Sequence, residues 1–136
     1  MRTQIAVSAA CLFNSAHELL LVRKAGTQYF MLPGGKPEPG EDGQDALLRE
    51  LKEELELTLE PEQLRHLGIW TAAAANENNA DVQARVWRAE IANTVSASAE
   101  IEEAVWYSLS HRPDITLAPL ITECILPFLT AEARQQ

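Results

Sequence analysis

Two hydrophobic periods divide the chain. QIAVSAACLF (residues 4–13) is rich in small and β-branched residues, as in a strand buried on both faces, and stops at the turn-like NSAHE. LLLVR (19–23) predicts a second strand that closes a hairpin through Asn14 to Glu18. After the turn KAGTQ, a short third strand, YFMLP (29–33), is ended by Pro33 and the pair Gly34-Gly35. The period then changes. From 42 to 55 apolar residues recur at helical spacing, and Asp42 can accept from an unpaired backbone N–H near Asp45. Beyond Pro61, LRHLGIWTA (64–72), VQARVWRAEI (82–91) and AVWYSL (104–109) return to strand character, with Trp106 as the expected core anchor of the last. AAAANENNAD (72–81) is the loop between two of them. A final helix should begin near Pro119 and run through LITECIL, kinked or interrupted at Pro127. Strands on both sides of a central helix, with another helix at the end, predict a mixed α/β protein whose helices pack on the sheet faces.

Composition narrows this. The 136 residues, 46% of them apolar, suit one domain with one real hydrophobic core, spanning 1–136. A net charge of −9 argues against a surface for nucleic acid polymers, which needs excess Lys and Arg. One nucleotide is still compatible with it, because a divalent metal inverts the local field. No apolar run approaches the roughly 18 residues that cross a bilayer, so no membrane partner is expected. IAVSAACLF has a short apolar part before Cys11 and only Arg2 as a basic residue, which fits a strand better than an export signal. A cytoplasmic location is therefore expected. Cys11 and Cys124 lie far apart without a CxxC partner, and His17, His66 and His111 show no ligand spacing.

Chemistry concentrates between 34 and 57, GGKPEPGEDGQDALLRELKEELEL. On a helical wheel Leu47, Leu48, Leu51 and Leu55 share one sector, and Glu50, Glu53 and Glu54 share the adjoining one. Each uncompensated like-charge pair at such spacings costs about 0.2–0.5 kcal/mol, and Arg49 is the one basic neighbour. A solvated face would normally interleave Lys with Glu. The alternative is a hard divalent cation, which takes oxygen ligands, keeps several waters and is shared with substrate phosphates. PGGKPEPG, just upstream, suits the second reading: its glycines allow close backbone approach, and Lys36 offers a positive charge to a phosphate.

These residues resemble the signature of the Nudix hydrolase family, G-x5-E-x7-R-E-U-x-E-E-x-G-U, in which U is bulky and apolar. Gly35 opens the match, Glu41 follows, then Arg49-Glu50, Leu51, Glu53-Glu54 and the closing Leu57. Glu56 stands where the family has glycine. Glutamate there implies either a strained left-handed residue, at about 1 kcal/mol, or a helix that runs on. The resemblance implies an α/β/α sandwich with a catalytic loop-helix-loop and MutT-like hydrolysis of a nucleoside diphosphate linked to a group X, with Mg²⁺ (or Mn²⁺) as cofactor. It carries over Gly35, Glu50, Glu53 and Glu54 as metal ligands, and Glu50 or Glu53 as the group that activates water. Glu41 and Arg49 become structural, Arg49 fixing a glutamate rotamer. A further carboxylate is expected before a late strand, where EIEEAVW offers Glu100 first and Glu103 second.

Specificity is less legible. Arg23, Lys24 and Lys36 are candidate phosphate contacts, and Tyr29, Phe30, Trp70 and Trp87 are aromatics able to stack on a base or simply fill a core. WTAAAANENNA, after the box, has neither the proline of ADP-ribose pyrophosphatases nor the tyrosine of dinucleoside polyphosphate hydrolases, which tilts the resemblance towards (deoxy)nucleoside triphosphates or their oxidised forms. ADP-ribose or nucleotide-sugar hydrolysis, and a non-catalytic nucleotide sensor, are the alternatives. The expected partner is a small nucleotide, for a monomer or homodimer.

Overall fold

The computed structural model describes residues 2–134. Seven strands occur in the order β1 (Thr3–Phe13), β2 (Leu19–Lys24), β3 (Phe30–Met31), β4 (Gly34–Gly35), β5 (Arg65–Ala73), β6 (Ala80–Glu90) and β7 (Ile101–Tyr107). Helix α1 (Gly43–Leu55) falls between β4 and β5, and α2 (Leu126–Arg134) ends the described chain. The sheet is mixed. Its main path is β3-β2-β1-β6-β5, with β4 paired to β1 and β7 to β2. β1 and β6 run parallel in unbroken register from Thr3↔Ala80 to Phe13↔Glu90, and the chain between them includes α1. The other strand pairs are antiparallel.

Alternation along β1 and β2 sorts side chains into two cores, since successive residues of a strand point to opposite faces. Ala10, Leu12, Leu20 and Val22 pack with Leu47, Leu51 and Leu55 of α1. Ala9, Cys11, Phe13, Leu19 and Leu21 pack with Ile121, Ile125, Leu126 and Leu129 at the other face. This is the α/β/α sandwich that the chain was expected to form. Burial on both faces applies to the second half of β1, where Ser8 to Phe13 are all buried, while Thr3 to Val7 are exposed or half-buried. Burial also raises the Cys11 thiol to about 12, so it behaves as a small core hydrophobe.

Three expectations are corrected. The stretch 29–33 is a strand only at Phe30–Met31, and the glycine pair is not merely its terminating turn: Gly34 and Gly35 form β4, opposite Ala9 and Ser8. β7 begins at Ile101 rather than 104, because its backbone continues along β2 as far as Lys24, with a bulge at Arg23. Trp106 does pack against the α1-side core but only half-buried, and Tyr107, on the opposite face of β7, is the more fully buried of the two.

The interruption at Pro127 takes a definite form. Residues Ile121–Ile125 make a π-helical turn, closed by the Leu126 N–H on the Ile121 carbonyl. Proline has no N–H to give and its ring crowds the carbonyl four residues back, so a widened turn before it relieves both defects. Among the described residues no helix is long and apolar enough to cross a membrane.

Candidate active site

The acidic helix is anchored before it is functional. The Asp42 side chain accepts from the Asp45 N–H at 2.8 Å, and three buried leucines fix the face that α1 turns to the sheet. That leaves the carboxylate edge of the helix against β4. Glu54 is 2% exposed and accepts from the Gly34 N–H at 3.0 Å. A Cβ on Gly35 would fall on the Glu50 carboxylate, so glycine is what allows the backbone and this acid to meet.

Arg49 organises the rest. Its guanidinium donates to both Glu41 oxygens at 2.8 and 2.9 Å, to Glu50 at 2.7 Å and to the Lys36 carbonyl at 3.2 Å. Glu41 in turn accepts from the Glu38 N–H at 2.9 Å, which ties the Gly/Pro loop to the helix. The Arg49 hydrogen bond, then the Glu38 N–H, hold the Glu41 carboxyl at about 2, well below its usual range. Glu53 is 3.5 Å from Arg49 and more than half exposed.

The end of α1 also positions Glu100. The Ser96 and Ser98 N–H groups donate to the Leu55 and Glu54 carbonyls at 3.1 and 2.8 Å, satisfying acceptors that a helix end leaves free. Ala99 then turns through φ 54°, and the Glu100 carbonyl accepts from the Ala25 N–H at 2.9 Å. The Glu100 carboxylate consequently stands 3.6 Å from Lys24 Nζ, at the end of β2.

These groups converge on one cleft of about 430 Å³, lined by Gly34, Gly35, Lys24, Lys36, Glu50, Glu54 and Glu100 among others. The size is typical of a small-molecule site. Glu53 does not line it, nor does Arg23. Arg23 is held by Glu102 at 3.2 Å, Glu103 at 3.1 Å and the Thr27 carbonyl at 2.8 Å, which also occupies the second-choice acid Glu103. Tyr29, Phe30, Trp70 and Trp87 are likewise absent from the lining. Trp70 meets Phe128 edge-on at 5.1 Å, Trp87 meets His66 at 5.3 Å, and Phe30 is buried. Sequence reasoning missed the aliphatic part of the lining, made by Val7, Val82, Ala73, Ala75, Ala118 and Leu120. These come from remote segments and carry no chemical signal.

The donor set fits a hard divalent cation. Glu54 is a buried carboxyl whose one protein hydrogen bond comes from Gly34. Burial raises it to about 7; the Gly34 N–H and Lys24 oppose the shift, while Glu50 and Glu100 add to it. A carboxyl this poorly compensated has acceptor capacity to spare for a cation. Among the described residues no three His, Cys, Asp or Glu side chains are gathered closely enough to hold a metal ion together, so Glu50, Glu53, Glu54 and Glu100 would have to shift to share one.

The class defined by this sheet, helix and acidic cleft is also the one found by comparison. Residues 2–121 match the family model described as NUDIX domain. The chain belongs to the Nudix family of pyrophosphohydrolases. No curated protein matches it. Among solved structures, the MutT protein from Methanosarcina mazei Go1 is 23% identical, with 97% of this chain and 96% of that one covered at a TM-score of 0.75. An Ap4A hydrolase from C. elegans is 20% identical, covering 97% and 99% at 0.69. A bifunctional NMN adenylyltransferase/ADP ribose pyrophosphatase from Francisella tularensis, complexed with AMP and Mn ion, is 18% identical, covering 96% of this chain and 42% of that one at 0.71. At these identities the likeness concerns the fold.

Proposed function

We propose that the chain, as one domain, hydrolyses a (deoxy)nucleoside triphosphate or its oxidised form to the monophosphate and pyrophosphate, with Mg²⁺ or Mn²⁺ bound by the Gly35 carbonyl, Glu50, Glu54 and Glu100, and by Glu53 once its side chain swings inward. The observation that carries this reading is the buried Glu54 carboxyl facing Glu50 and Glu100 in one cleft, beside Lys24 and the β4 glycines. A bound divalent ion supplies charge stabilisation to the bridging and non-bridging phosphate oxygens. Lys24 and Lys36 line the same cleft and neutralise phosphate charge from the protein side. Glu50, on the cleft wall and oriented by Arg49, takes the proton of the attacking water, ahead of the more exposed Glu53. Arg49 and Glu41 position that carboxylate without touching substrate.

The test is a nucleotide panel assayed for released phosphate and pyrophosphate with Mg²⁺. Triphosphates should lead, and EDTA should abolish turnover. Much faster hydrolysis of ADP-ribose or a nucleotide sugar would move the assignment to that branch. Glu50→Gln is expected to lower kcat by about 10²–10⁴-fold with a folded protein, and Glu53→Gln by less. A sensor that only binds nucleotide would have no turnover to lose.

A further inference from the structure

The cleft is divided by chemistry. Its charged side chains lie at one end, from the Gly/Pro loop, α1, Lys24 and Glu100. Much of the remaining lining is aliphatic: Val7 and Val82 from adjacent parallel strands, Ala73 and Ala75 from the β5–β6 hairpin, Ala118 and Leu120 from the entry to the last helix. Ser8 is the sole uncharged hydroxyl or amide side chain in the lining. Its Oγ lies 3.2 Å from where a Gly43 Cβ would stand, so it points to the α1 side, whereas Val7, Val82 and Leu120 pack in the core on the other face. Two nearby backbone N–H groups are engaged in the fold. The Ala118 N–H donates to the Phe30 carbonyl at 2.9 Å, and the Ala74 N–H to the Ala80 carbonyl at 2.9 Å.

We infer that this wall holds the part of the substrate beyond the phosphates by shape and apolar contact alone, so the protein separates bases by size and ignores their hydrogen-bonding edges. This rests on the reading above only in placing phosphates at the acidic end. A site that hydrogen-bonds its ligand rejects an analogue by about 10⁴–10⁵-fold because its own polar groups are left unpaired, whereas an apolar site discriminates by about 10–200-fold per methylene. No side chain on this wall carries a donor or acceptor that could be left unpaired. Adenine, guanine and hypoxanthine, similar in outline but different in donors and acceptors, should therefore be bound almost alike.

The experiment measures affinity for ADP, GDP, IDP, CDP and UDP with Mg²⁺ by calorimetry, beside kcat/KM for the corresponding triphosphates. The three purines should agree within about tenfold in both. A spread beyond about a hundredfold among them would overturn the inference. Ala75→Phe narrows the wall at a half-buried position, and with an unchanged melting temperature it should weaken purine binding at least tenfold more than pyrimidine binding. An equal loss for both would also count against it. Even purine affinities with no triphosphate turnover would remove the substrate assignment and leave this inference standing; no affinity for any nucleotide would end both.

Discussion

Glu54 shows how much one burial state decides. Helical spacing places it beside Glu50 and Glu53, but spacing cannot tell that β4 closes over it, because two glycines leave no strand pattern to read. Its folded value of about 7 stands above the ordinary 4.5, so the protonated carboxyl is what the metal-free fold favours. The stability it contributes is fully present below pH 4.5 and is lost as the pH rises through about 7. Glu41 has the opposite sign: its contribution is present above 4.5 and lost as the pH falls through about 2. In EDTA at pH 8, Glu54→Gln keeps an acceptor for the Gly34 N–H and removes the charge. It should raise unfolding stability by about 2–3 kcal/mol, an advantage that vanishes near pH 4. Denaturant melts at the two pH values check this, and an equal change of stability with pH in the two proteins would contradict it. Glu56, the one departure from the signature, resolves as the strained option: it ends α1 at φ 52°, ψ 36°. Glu56→Gly should add about 1 kcal/mol in a denaturant titration and leave kcat unchanged, since the side chain lies off the cleft.

Elements were legible wherever side chains alternate or repeat. β1, β2, β5, β6 and α1 follow their hydrophobic periods to within about two residues, as boundary assignments usually do. β4 was hidden because glycine signals a turn and only tertiary contact reveals a ladder. The aliphatic cleft wall was hidden for a related reason: Val, Ala and Leu read as core wherever they occur. The two β4 glycines separate structure from chemistry. A Cβ on Gly34 would strike the Ser8 carbonyl and the Ala9 Cα, fixed atoms of the sheet, and its φ of +147° is foreign to L side chains. Gly34→Ala should therefore destabilise by about 2–4 kcal/mol. A Cβ on Gly35 meets only the flexible Glu50 side chain, which can move. Gly35→Ala should melt within about 1 kcal/mol of the parent yet lose most turnover, a split visible by pairing thermal melts with initial rates.

At the scale of the molecule, the −9 charge and the acidic cleft respond differently to added salt. Self-repulsion of a strongly charged chain weakens the compact state, and monovalent salt relieves it by screening, over millimolar to molar concentrations and without saturation. A specific divalent site behaves differently. It stabilises the fold by RT ln(1 + [L]/Kd), about 2.7 kcal/mol at a hundred times Kd, and the melting temperature climbs with the logarithm of ion concentration. Mg²⁺ or Mn²⁺ should thus raise the melting temperature well beyond NaCl at matched ionic strength. The excess should shrink below pH 6, where a proton competes for Glu54, and should be largely absent in Glu54→Gln. Equal shifts from NaCl and MgCl₂ would mean that the carboxylates act only as a diffuse negative surface. In that case the buried acid, the β4 glycines and the lysines at the cleft would have no cation to organise around.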